Sequence, residues 1–180
     1  RIGVSLEVGT FDELLKTNSE NLDTWTPLTS TFQPQLGGIN YDNGAVVLGR
    51  DRDGKVIATY SVRHFDWTNS DFTTEAESLR FFYADPGRDK GEGETCHIIP
   101  PQGRDLKGYC LYTGALWIHP DFRGLELATI LPWTSRAVGC TRWPIDTSFA
   151  LIGHYSIAKG LDWKVGYPAE NVFDGVQLFN

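Results

Sequence analysis

The chain has 180 residues, 41% of them hydrophobic, enough for a core and too many for a disordered polymer. Lys and Arg number 16 against 23 Asp and Glu, and the net charge of -7 argues against a nucleic-acid binder while suiting a neutral or cationic small partner. No apolar run approaches the roughly 18 residues of a membrane helix, and no basic segment leads into a short apolar one, so neither a membrane nor a secretion signal is expected.

The elements follow in chain order. Residues 2–8 (IGVSLEV) alternate as a short strand. Thr10-Phe11-Asp12-Glu13 is a capping box, so a helix starts there with Leu14 and Leu15 behind it. Residues 25–38 carry Pro27, Pro34 and a glycine pair, which predicts short helical turns or loop. Residues 44–50 and 55–67 are β-branched and aromatic, and Asp51-Arg52-Asp53-Gly54 joins them as a hairpin. Asp51 and Asp53 look faintly like a calcium loop, but Gly54 comes too early and no closing Glu follows. Thr74 to Glu77 reads as a second capping box, with a helix that ends before Pro86. Residues 86–106 are Gly, Pro and charge, a long loop without the Gly-Lys-Thr/Ser of a phosphate-cradling loop.

Residues 108–119 (GYCLYTGALWIH) are apolar on both faces, as in a central strand, and Pro120 stops them. Residues 125–138 predict a helix with Leu127, Ile130 and Leu131 inward and a kink at Pro132. A strand follows within 145–152, a helix over about 155–164, and a last strand over 172–179. The order predicts an α/β (α+β) domain over 1–180, with a mixed sheet of about six to seven strands flanked by helices. The three cysteines, Cys96, Cys110 and Cys140, are odd in number with no small secreted framework, so they read as reduced thiols of a cytoplasmic protein. No metal is expected. A zinc site from Cys96, His97, Cys110 and His119 lacks both Cys-x-x-Cys and closely spaced histidines.

The stretch from Leu116 to Ala128 carries the chemistry. A buried strand breaks at a proline, turns through Arg123 and Gly124, and opens a helix. Such a turn aims free backbone N–H groups at one point with a helix dipole behind them, which suits a phosphate or pyrophosphate.

Ile118, Pro120, Phe122, Arg123, Gly124, Leu127 and Ala128 resemble the acyl-CoA-binding motif of the GNAT N-acyltransferase superfamily. Ala158, Leu161, Lys164, Gly166 and Tyr167 resemble the Ala-x-x-Leu-Tyr-x-Lys-x-Gly-aromatic ending of that family's last helix. The Asp53-Gly54 hairpin resembles its second and third strands. The resemblance implies a GNAT-like domain that transfers an acetyl or other acyl group from acyl-CoA to a small-molecule or peptide amine by direct attack. It implies acyl-CoA in a cleft between the strands at 108–119 and 145–152, with its pyrophosphate on the amides of Arg123, Gly124, Leu125, Glu126, Leu127 and Ala128. A strand amide at Trp117 or Ile118 would meet the thioester oxygen, and a homodimer would be in keeping with many members.

Two residues depart from that pattern. Glu126 stands where the family has a glycine, beside the expected dianion. Asp162 stands where the family often has the tyrosine that protonates the thiolate, and Asp is ionised near neutrality. Tyr155, seven positions earlier, lies two turns along the same face of the expected helix and is either the substitute acid or an ordinary packing aromatic. The alternative reading is therefore a GNAT-like domain that has lost catalysis and binds a ligand or protein.

Overall fold

The computed structural model describes residues 3–179, so Ile2 of the expected first strand lies outside the described residues. That strand is β1, Ser5–Gly9. Thr10 then caps α1, Phe11–Ser19, as its box predicts. Its hydroxyl accepts from the Glu13 amide at 3.1 Å, and the Glu13 carboxylate accepts from the Thr10 amide at 3.0 Å. A short turn at Ser30–Phe32 and α2, Pro34–Gly37, come next. The hairpin of β2, Gly44–Arg50, and β3, Val56–Trp67, forms over a turn in which Asp51 accepts from the amides of Asp53 and Lys55.

The next helix, α3, is Phe72–Glu77, and it starts two residues before the expected Thr74. Asp71 is its cap, accepting from the Thr74 amide at 2.9 Å, because the buried Phe72 and Thr73 belong to the first turn. Glu77 closes no capping box and accepts instead from the Ile98 amide. Residues 86–106, expected as loop, contain α4, Pro86–Asp89, the strand β4, Thr95–Ile98, and a 3₁₀ turn at Pro101–Arg104. Strand β4 pairs with the last strand of the chain, a partner no local pattern announces.

Strand β5, Gly108–Ile118, leads through a turn at Pro120–Phe122 into α5, Leu127–Arg142. The helix runs on through Pro132, and its buried stripe is Leu127, Leu131, Ser135 and Gly139, every fourth residue. Ile130, expected inward, is 40% exposed, since one residue of helix turns it about 100° off that stripe. Strand β6, Thr147–Phe149, is followed by two single turns, α6, His154–Ile157, and α7, Leu161–Lys164. One helix over 155–164 was expected. Gly160, at φ 71°, breaks it. A turn at Ala169–Asn171 and β7, Val176–Phe179, complete the described chain.

Among the described residues seven strands form, five in one mixed sheet of order β1-β2-β3-β5-β6 and two in the separate β4–β7 pair, and of their pairings only β5 with β6 is parallel. Helix α5 covers one face of the sheet, seating Leu127 and Leu131 on Val47, Ile57 and Tyr60. Phe81, fully buried, centres the aromatic core, with ring centroids 4.8 Å from Tyr112 and 5.2 Å from Phe72. Phe149 of β6 joins that core 5.2 Å from Tyr112, so both strands of the parallel pair are anchored there.

Candidate active site

Strands β5 and β6 touch over three residue pairs only, ending at Tyr112 and Phe149. Beyond them the strands part and leave a cavity of about 260 Å³. Its walls are residues 112–116 of β5, residues 150–153 after β6, and Trp25, Leu28 and Phe32 from the segment after α1. That segment is fastened to β5. The Trp25 and Trp117 rings stack at 5.6 Å, and Trp117 Nε1 donates to Thr24 Oγ1.

The β5 wall is bulged. Thr59 faces Trp117 and Ser61 faces Gly114, so β5 carries two residues opposite Tyr60. Ala115 takes up the slack at φ 54°, a left-handed conformation held by Thr59 Oγ1, which donates to its carbonyl at 2.9 Å. Gly114 beside it lies against Phe32, where a Cβ would sit 2.8 Å from the ring. An isolated glycine inside an apolar strand is the one sequence sign of this bulge.

The bulge decides which amides are free. The His119 amide donates to Ile57 at 2.8 Å, which makes that a hydrogen-bonded pair. By the alternation of an antiparallel ladder, Trp117 then points its amide at β3, while Ile118 and Leu116 point theirs toward the side that β6 has left. Of the two strand amides expected to meet an acyl oxygen, Trp117 is therefore occupied and Ile118 is open. Leu116, which lines the cavity, is not found by sequence reasoning because the bulge shifts the register.

Past the strand, the turn is held by the Phe122 and Arg123 amides, which donate to His119 and Pro120, and by Arg123 Nε on the Ile118 carbonyl. The next five amides, of Gly124, Leu125, Glu126, Leu127 and Ala128, donate to no acceptor among the described residues. Glu126 is the N-cap of α5, at φ 58° and ψ 14°, with no side-chain capping bond. This is the left-handed position that glycine fills without strain, and a non-glycine there costs on the order of 1 kcal/mol. The Glu126 side chain is exposed rather than folded into the row of amides.

The expected acids fall elsewhere. Tyr155 is 74% exposed on α6, its hydroxyl accepts from Lys159, and that ammonium over its ring pulls the phenol below its usual range. Asp162 is half-buried on α7. Neither lines the cavity, whereas their neighbours Ser156 and Leu161 do, because the break at Gly160 turns the two helical turns independently. At the parting of β5 and β6 stands a set of hydroxyls instead. Tyr60 donates to Thr113 Oγ1 at 3.0 Å, and the Tyr167 hydroxyl lies 3.2 Å from the same atom. Burial raises the Tyr60 phenol far above its usual range, so it stays protonated. Among the described residues no group of three or more His, Cys, Asp or Glu could hold a metal, and Cys96 and Cys110 are buried free thiols.

No protein-family model and no curated protein matches the sequence. Solved structures do match the fold. Glucosamine-6-phosphate N-acetyltransferase from Arabidopsis thaliana superposes with a TM-score of 0.55 at 13% identity, over 96% of both chains. This chain has the fold of the GCN5-related N-acetyltransferases. A protein of that description from Ralstonia eutropha matches at TM-score 0.53 and 12% identity, over 96% of this chain and 97% of its own. A predicted acetyltransferase with acetyl-CoA from Clostridium acetobutylicum matches at 0.54 and 12%, over 97% and 96%. In this GNAT fold the parted strands, the bulge and the unpaired turn fall on one continuous path from Gly114 to Ala128. No helix among the described residues is long and apolar enough to cross a membrane.

Proposed function

We propose that residues 1–180 form one acyl-CoA-binding domain that transfers an acetyl or other acyl group from acyl-CoA to an amine. The observation that carries this reading is the run of five unpaired amides from Gly124 to Ala128 at the start of a 16-residue helix, continuous with a cleft between parted parallel strands. Five N–H groups backed by a helix dipole, open to a ligand at the protein surface, fit a pyrophosphate. The acetyl-CoA of one similar structure and the naming of the others as acetyltransferases support the same class of ligand.

Each part of this chain then has a role. The amides of residues 124–128 hold the pyrophosphate, with Arg123 beside them. The arm of the cosubstrate lies along β5, and the amides of Leu116 and Ile118 face the thioester oxygen, where negative charge develops. The amine, having lost its extra proton to water, attacks the carbonyl carbon. A C–N bond forms, the C–S bond breaks, and the thiolate takes up a proton as the nitrogen gives one up. We assign the donated proton to the Tyr60–Thr113–Tyr167 hydroxyls rather than to Tyr155 or Asp162, since Thr113 and Tyr60 line the cavity and the other two do not. The protein is read as cytoplasmic on its reduced thiols.

The second reading, a binding domain without catalysis, has one observation in its favour. Glu126 holds a strained conformation and places a carboxylate beside the proposed dianion site. Titration calorimetry with acetyl-CoA, with CoA as control, tests the ligand, and turnover in an amine screen separates the two. Saturable binding at micromolar strength supports the transferase reading, and an amine screen then follows. An absence of heat with either ligand overturns it.

A further inference from the structure

A second cavity, of about 630 Å³, lies on the other side of the segment after β6. Residues 150–153 line both cavities, and the Tyr167 hydroxyl of the second reaches Thr113 of the first at 3.2 Å. The two spaces therefore adjoin along residues 150–153, beside the Thr113–Tyr167 contact. The volume falls in the range of roughly 300–1,000 Å³ that holds small molecules. Its lining is largely apolar, with Phe72, Ile98, Leu106, Phe149, Leu151 and Phe173 around it. Among the described residues its polar lining, besides Asp174, is Gln102, Thr147, Ser148, His154, Tyr167 and Asn171, with no Lys, Arg or Glu. Asp174 is its one carboxylate, bonded at 2.8 Å to His154.

We propose that this cavity is the acceptor pocket, and that it takes a primary amine with an apolar body, an alkylamine or arylalkylamine, with its charged head toward Asp174 before deprotonation. The proposal rests on the transferase reading for its consequence, and on the lining alone for its ligand. Asp174, held by His154 at the exposed rim, offers one carboxylate to a cationic head, while the mainly aliphatic and aromatic walls match an apolar body. The chain's net charge of -7 attracts the same sign. A phosphorylated amino sugar, such as the glucosamine-6-phosphate for which one similar enzyme is named, fits poorly, because its phosphate would face Asp174 and its hydroxyls would lose water against phenyl rings. Asp174 is 80% exposed, so it orients the head while the walls supply the affinity.

The test is a titration of the whole protein, with and without CoA, using n-butylamine, n-hexylamine, n-octylamine and glucosamine, with acetyl-CoA titrated in parallel. Affinity should rise about fourfold per added methylene, or about sixteenfold from one alkylamine to the next, and glucosamine should not saturate. Ile157→Trp, at a residue that lines this cavity and not the first, should flatten the series while acetyl-CoA binds as before. A series that is flat in the unaltered protein in both states, glucosamine binding as well as octylamine, or a series that Ile157→Trp leaves unchanged overturns the pocket. A rising series without acetyl-CoA binding upholds the pocket and removes the transferase reading. Acetyl-CoA binding with a flat series does the reverse.

Discussion

The two walls of the cleft are built unequally. Strand β5 has 11 residues, is laddered to the 12-residue β3 along its length, and is pressed between α5 and the aromatic core. Strand β6 has three residues, and after it come two single helical turns and irregular chain. Tyr155 and Trp163 there are more than 70% exposed, while Phe81 in the core is fully buried. The proposed transfer would use both kinds of wall. Amides that face a developing charge must be held to fractions of an ångström, which a laddered strand does. The β6 side carries little of the core and can change at small cost in stability.

This contrast can be broken by experiment. Phe81→Ala removes the centre of the aromatic core and should cost about 3–5 kcal/mol in denaturant unfolding. Trp163→Ala should stay within about 0.5 kcal/mol. Equal losses would refute the division into frame and exposed wall.

The frame also holds a buried cation. Arg63 on β3 donates to the carbonyls of Thr31 at 2.8 Å and Gly37 at 2.6 Å, and burial pushes its guanidinium down to about 10. It ties the segment before β2 to the sheet, below the loop that walls the first cavity. Arg63→Met leaves both carbonyls without that donor and should cost about 2 kcal/mol by the same measurement.

Glu126→Gly sharpens the comparison at the turn. It removes a carboxylate from beside the five amides and relaxes the φ of 58°. Acetyl-CoA affinity should rise about tenfold, equivalent to about 1.4 kcal/mol, in calorimetry. An unchanged affinity would show that the exposed carboxylate points clear of the ligand and would weaken the non-catalytic reading.

The smallest expected effect is a pH dependence in the frame. His64 stacks between Tyr109 at 5.8 Å and Trp143 at 5.7 Å, and burial pushes its imidazole below its ordinary 6.5. The unfolded chain therefore takes this proton first. The contribution to stability is complete above pH 6.5 and is lost as pH falls toward the folded value. His64→Phe should flatten that part of a stability-versus-pH curve, and a curve with the same slope would remove His64 as its source.

Where a signal is local, it is legible in the residues. The Thr10 cap, the hairpin over Asp51 to Gly54, the central strand before Pro120 and the strand–turn–helix from Leu116 to Ala128 each depend on side chains within a few positions of one another. Caps, alternation and breakers act at that range. The candidate turn at Arg123 to Ala128 is legible in this way, and so is the departure at Glu126. The placing of Tyr155 and Asp162 is not, because seven residues make two turns of one helix only where the helix is unbroken, and Gly160 splits this one.

Composition and local pattern alone thus determined a mixed α/β chain with a strand–turn–helix, the candidate anion site, at the end of its central strand. Tertiary structure decided the rest. The pairing of β4 with β7 joins segments far apart in the chain, and the cap at Asp71 follows from where Phe72 must be buried. The bulge at Ala115 exists because β3 and β5 must realign around Tyr60, and the ladder between it and the His119–Ile57 pair turns the Trp117 amide to β3 and leaves that of Ile118 open. These are consequences of which surfaces meet, and a single strand or helix read by itself carries no record of its partner.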